Sequence, residues 1–145
     1  MILKRRPTLL ALAAVLAATQ AAGAADQLFN RIASFAVPDN MAEGEDRTRE
    51  TAPEIIAASG DGMTLVYTDS PLGVIGRIDI SDPAHPQPLG NIVMDGEPTA
   101  VSVLGNMAYV GVNTSVSYSE PSGELRTVDL ASGEILASCP LDGQP

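Results

Sequence analysis

From Pro53 onward the chain alternates short apolar runs with clusters of Gly, Pro, Asp, Asn and Ser. "EIIAA", "MTLVYT", "VIGRIDI" and "LGNIVM" are separated by "SGDG", "DSPLG" and "SDPAHPQP"; the runs are rich in β-branched and aromatic residues, and the breaks hold turn formers. This pattern predicts short half-buried strands, because such side chains suit a pleated surface, whereas Gly supplies the positive φ a tight turn needs. No stretch carries apolar residues at helical spacing without a Pro or Gly interrupting it, so a helical repeat is disfavoured.

The pattern then repeats. Pro53 opens one unit and Pro98 the next, 45 residues on, and nearly the same tetrapeptide, "DGEP" at 95–98 and "DGQP" at 142–145, closes each. Both units run through the same order: a first strand (Ile55–Ala58, Ala100–Val103), a Gly turn ("SGDG", "LGN"), a second strand ("MTLVYT", "MAYVGV"), a third ("VIGRIDI", "ELRTVDL") and a fourth ("LGNIVM", "EILASCPL"). Asp79 and Asp129 recur at one position in the third strand, which suggests a structural turn bond. Four strands in a unit of this length is the pattern of a propeller blade. A β-sandwich also uses short strands but leaves the internal period unexplained.

The expectation is therefore an all-β partial β-propeller: blades over 53–97 and 98–144, with Pro145 opening a third. The stretch "NRIASFAVPDN" resembles the fourth-strand segments, so residues 30–37 are expected to form an N-terminal closing strand, followed within 25–52 by an acidic loop. Residues 1–24 have the layout of a cleaved export signal: Lys4, Arg5 and Arg6, an apolar run from Leu9 to Ala18, and small residues at Ala22-Gly23-Ala24. The run is too short and Ala-rich for a stable membrane span, and the expected location is periplasmic or extracellular.

Charge sharpens this picture. The three basic residues of the leader leave five Arg, no Lys and all 18 acidic residues to the remainder, a net charge of −13. Such a surface repels phosphate backbones, which excludes nucleic acid as a partner. It attracts cations, or simply keeps the protein soluble. Strand reversal places the connector into a first strand and the loop after a second strand at one sheet end, so Glu54, Asp69, Asp95 and Glu97, with Asn113, are the candidate ligands for a hard cation such as Ca²⁺; the alternative is a set of solvated loop ends.

Other chemistry is sparse. The sequence holds no G-x-S-x-G elbow, Walker-type phosphate loop, H-E-x-x-H or G-x-G-x-x-G, and no catalytic residue is assigned. His85 sits in a Pro-rich turn without a second His or Cys nearby and reads as a surface loop residue. Asn113-Thr114-Ser115 matches an N-glycosylation acceptor. The single cysteine, Cys139 in "ILASCPL", reads first as a small buried hydrophobe; a disulfide partner outside these residues and a reactive thiol are the alternatives.

"VYTDS" and "YVGVNTS" resemble the second-strand core of YVTN-type secreted β-propeller repeats, and "DGEPTAV" resembles their blade connector. Over Phe29 to Pro145 the sequence resembles the N-terminal part of bacterial exported proteins described as phytase-like esterases or alkaline-phosphatase-related propellers. The resemblance implies further blades as partners for these two and, for the full-length form, hydrolysis of phosphoric or carboxylic esters. The alternative is a non-catalytic propeller platform that binds protein or ligand.

Overall fold

Eight strands form where the apolar runs lie. The computed structural model of the protein describes residues 30–145. In it β1 (Pro53–Ala58), β2 (Thr64–Asp69), β3 (Val74–Asp79) and β4 (Gln87–Val93) make one antiparallel sheet, and β5 (Glu97–Leu104), β6 (Met107–Asn113), β7 (Gly123–Asp129) and β8 (Ile135–Leu141) make a second. Each sheet is a plain meander with strands in chain order. The fold is thus all-β, a partial propeller-like arrangement of two four-stranded sheets. Among the described residues the one helical element is a 3-10 turn, Val37–Asn40, and no helix is long and apolar enough to cross a membrane. The expected signal at 1–24 lies outside the described residues.

The first hairpin of each sheet is set by its turn. Between β1 and β2, Asp61 Oδ1 accepts from the Ser59 hydroxyl (2.6 Å) and the Met63 N–H (2.9 Å), and Gly62 takes φ +73°. Between β5 and β6, Gly105 does the same work at φ +61°. The two turns touch: the Gly60 N–H donates to the Gly105 carbonyl at 2.6 Å, and a Cβ on Gly60 would come within 2.9 Å of Gly105 Cα. Only glycine permits so close an approach.

Directly opposed residues of an antiparallel pair share a face, which identifies the faces that meet. Val66 is opposite Ala57 and Arg77, and Thr68 is opposite Ile75. On the second sheet Val101 is opposite Val110, and Ala108 opposite Val128. Val66 and Ile75, with Met94 beyond β4, pack on Val101, Ala108, Val110, Val112, Val128 and Leu130 as one core. Each Val, Ile, Leu or Met side chain so removed from water contributes about 1.5–3 kcal/mol. The sheets are also tied by polar contacts: the Ser70 hydroxyl donates to the Pro98 carbonyl (2.7 Å), and Arg77 Nη1 donates to the Leu130 (2.8 Å) and Ala131 (3.4 Å) carbonyls.

Strand pairing corrects the alignment of the two units. Their similarity as strings sets Met63 against Met107 and Asp69 against Asn113. The registers instead match Pro53↔Asp69 with Pro98↔Val112, Ile56↔Tyr67 with Val101↔Val110, and Thr64↔Asp79 with Met107↔Asp129. The repeat therefore slips by one residue in the second strand, and since side chains alternate faces, that slip decides which residues enter the core. Asp79 and Asp129 do occupy one position. Each caps the turn after its strand: Asp79 Oδ1 accepts from the Ser81 N–H (2.8 Å), and Asp129 Oδ1 from the Ala131 and Ser132 N–H groups (2.7 and 3.0 Å).

Two further expectations are corrected. Residues 30–36 form no strand; at the end of the segment Phe35, with Val37, faces the side of the first sheet that points away from the second. Asn40 anchors it, with Nδ2 donating to the Tyr67 hydroxyl (3.0 Å) and the Arg77 carbonyl (2.9 Å) while Oδ1 accepts from the Gly90 N–H (3.0 Å). Cys139 is exposed, not buried. It lies on β8, which pairs on one side only, opposite Leu125 and on the sheet face turned away from the core.

Candidate functional site

The end of the sheets where connectors and the second-to-third-strand loops meet carries the sequence-derived ligands. The topology does bring their segments together: Pro53, beside Glu54, is opposite Asp69, and Glu97 is opposite Asn113. Their side chains, however, have separate engagements. Asp69 is fully buried, and its Oδ1 accepts from the Ala52 N–H (3.1 Å) and, at 3.4 Å, the Leu72 N–H, so it ties down the chain entering β1 and the β2–β3 loop. Its Oδ2 is buried without a hydrogen-bond partner. Glu54 is exposed on β1. Asp95 is the one non-glycine at positive φ among the described residues, at 41°, a conformation Asp tolerates better than most, and its Oδ2 lies 3.7 Å from Arg126 Nη1. Glu97 accepts from Asn113 Nδ2 at 3.1 Å. Among the described residues no group of three or more His, Cys, Asp or Glu is placed to hold a metal ion. Calcium coordination by Glu54, Asp69, Asp95 and Glu97 thus gains no support from this geometry: Asp69 Oδ1 is committed to backbone N–H groups, Glu97 to Asn113, and Asp95 faces Arg126.

Two arginines here were not singled out from sequence. Arg126, whose side chain is nearly buried, holds Glu124 at 2.9 Å as well as facing Asp95. The Ser138 hydroxyl, donating at 2.7 Å, and Arg126 together hold the Glu124 carboxyl below the usual carboxylate range. Arg77 crosses between sheets, with Nη2 donating to the Leu89 carbonyl at 2.9 Å, and burial pushes its guanidinium down against the opposing pull of Asp129. His85 stands exposed in its turn, with Nδ1 2.9 Å from Asp82 Oδ2, as a surface loop residue would.

Of the cavities among the described residues, two bear on these elements; a third, of about 400 Å³, lies between residues 39–45 and Val74, Gly90, Asn91 and Val93. An apolar groove of about 280 Å³ runs between Phe35 and Val37 on one side and Ile56, Tyr67 and Ile78 on the other. A more polar pocket of about 200 Å³ lies between Glu97, Asn113, the β6–β7 loop and Gln144. The sequence signal for the second was a difference in loop length: residues 70–73 join β2 to β3, whereas residues 114–122 join β6 to β7.

The repeated tetrapeptide also finds its place here. A Cβ on Gly73, just before β3, would meet the Gly96 carbonyl of "DGEP" at 3.1 Å, and a Cβ on Gly123, which opens β7, would meet the Gly143 carbonyl of "DGQP" at 2.6 Å. Each connector lies across the start of the third strand of the sheet it leaves.

No family model matches the chain, and no curated protein matches it. Among solved structures it is similar to hydrazine synthase of Kuenenia stuttgartiensis, with a TM-score of 0.50 and 19% identity over 63% of this chain. The match spans 24% of that protein's length, about a quarter. At this identity the likeness is one of fold.

Proposed function

We propose that this chain is part of an exported β-propeller of the YVTN type, in which the two sheets are blades that pack on further blades, and that the full-length form is a phytase-like or alkaline-phosphatase-related ester hydrolase. One observation carries the propeller reading: "DGQP" crosses the second sheet as "DGEP" crosses the first, and "DGEP" leads directly into the first strand of a packed sheet. Within that reading residues 53–144 are scaffold. The hydrolase class rests on the sequence resemblance, and the catalytic groups are supplied from outside these residues. A second reading, a non-catalytic platform, is favoured by the β6–β7 loop, which holds Val116 and Tyr118 out in solvent.

The test is to express the chain with its own leader, recover it from the periplasm or medium with its first residue near Ala25, and assay p-nitrophenyl phosphate and p-nitrophenyl acetate beside the longer native polypeptide. Turnover by the longer protein alone supports the hydrolase. Turnover by neither favours the platform. Turnover by this chain alone would place the chemistry within it and overturn the scaffold reading.

A further inference from the structure

The β6–β7 loop departs from the repeat that explains the rest of the fold. Its counterpart, residues 70–73, turns tightly, whereas residues 114–122 carry more chain than the turn requires. That chain is ordered by its own bonds. Ser115 Oγ donates to the Ser122 carbonyl (3.0 Å) and accepts from the Ser122 N–H (2.9 Å), the Thr114 and Ser122 hydroxyls meet at 2.9 Å, and Ser117 bridges Glu120. Gln144 Nε2 donates to Ser115 Oγ at 3.1 Å, locking the loop to the connector. A loop held this firmly nonetheless leaves Tyr118 99% and Val116 87% exposed. An exposed aromatic ring beside an exposed valine, on an ordered loop next to a cavity, marks a binding site more than a scaffold.

The chemistry of the pocket selects its ligand. It is lined by Glu97, Asn113, Ser115, Ser117, Tyr118 and Gln144. One N–H of each amide is engaged within the protein, Asn113 Nδ2 donating to Glu97 Oε2 and Gln144 Nε2 to Ser115 Oγ. That leaves Glu97 Oε1 and Gln144 Oε1 as acceptors beside hydroxyls and a phenol ring. Glu97 pairs with no cationic side chain among the described residues. An anion would meet a carboxylate on a chain of net charge −10. An ammonium group would find acceptors for its N–H bonds, an opposite charge, and an aromatic face for cation–π attraction. We propose that this pocket binds an alkylammonium group, carried either by a small amine or by a lysine side chain of a partner. This assignment is independent of the ester-hydrolase reading.

The test follows backbone amide NMR shifts of the full chain during titration with n-butylammonium chloride to tens of millimolar, with NaCl at equal ionic strength and methyl α-D-glucopyranoside as controls. Saturable shifts confined to residues 97, 113–120 and 144, absent with both controls, are expected. Tyr118→Ala, which removes an exposed ring, should weaken binding about two- to fivefold. Glu97→Gln keeps an acceptor for Asn113 while removing the charge, and should weaken it further. No saturable shift, or the same shifts with NaCl or the glucoside, would overturn the assignment. So would undiminished affinity in Tyr118→Ala. Tighter binding by Nα-acetyl-lysine methylamide, whose side-chain ammonium is free, than by butylammonium would point to a protein partner as the source of the group, and weaker binding to a small amine.

Discussion

Tyr67 and Gly76 are opposed on neighbouring strands, and a side chain on Gly76 would overlap the Tyr67 ring, so the aromatic lies flat over the gap that glycine leaves. Burial pushes the Tyr67 phenol up, while its oxygen accepts from Asn40. Gly76→Ala is therefore expected to destabilise the fold by about 1–3 kcal/mol, since the added methyl forces the ring out of its place. Tyr67→Phe, which removes one acceptor for Asn40, should cost about 1 kcal/mol; urea unfolding of both variants would check the order. The turn aspartates give a pH prediction. Asp129 lies below the usual carboxylate range because it accepts from the Ser132 and Ala131 N–H groups, Asp79 because of Ser81, and Asp61 because of Ser59 and Met63. A folded pKa below the unfolded value gives stability that is present above about pH 4 and lost as pH falls through the folded value. The melting temperature should drop between pH 5 and pH 3, and Asp129→Asn should flatten that drop.

Between elements, Arg77 is the most connected side chain across the sheet interface. It satisfies carbonyls on the β7–β8 turn and within β4 with a planar fork, and a Cβ on Gly133 would lie 2.8 Å from its Nη2. Lysine cannot reproduce that geometry. Arg77→Lys and Arg77→Met should each cost about 1.5 kcal/mol in denaturant unfolding, because the part-buried Leu130 carbonyl loses a charged donor, and Lys should recover little of the Met loss. A full recovery by Lys would mean that charge, not the fork, makes the tie. The same level shows why the acidic residues do not assemble: strand reversal gathers their segments at one end, but the connectors' own N–H groups claim the Asp69 oxygen first. Millimolar Ca²⁺ is accordingly expected to leave the melting temperature unchanged. A rise, as mass action requires of a ligand that binds the native state, would restore the cation reading.

At the scale of the molecule, two sheet faces are packed together and their outer faces are not covered alike. Residues 35–41 lie over part of the first sheet, while the second leaves Leu125, Leu136 and Leu141 partly exposed, and Ile56 and Val93 are open on the first. Repeat units draw much of their stability from neighbours, and open strand edges invite pairing. The chain should therefore show a mass in light scattering that grows with concentration. Cys139, on the outer face of the second sheet, should react with a thiol reagent in the folded protein as fast as a free thiol at low concentration, and more slowly as association covers it. A concentration-independent monomer with constant thiol reactivity would contradict this.

The sequence by itself determined the strands, their order and their grouping into two units, because alternation of apolar and turn-forming residues is a local property: each run from "EIIAA" to "ILASCPL" became a strand, and "SGDG" and "LGN" became turns. It also determined the turn-capping roles of Asp79 and Asp129, whose partners lie two or three residues away. Tertiary structure decided what depends on distant neighbours. The one-residue slip between the units is set by ladder pairing that no string comparison sees. The segment before Pro53 looked like a strand, yet Asn40 found its partners 27, 37 and 50 positions away on the face of the first sheet, and strand formation needs an edge, not a face. Cys139 has apolar neighbours in sequence, but burial requires a second layer over that face of β8, and composition cannot supply one.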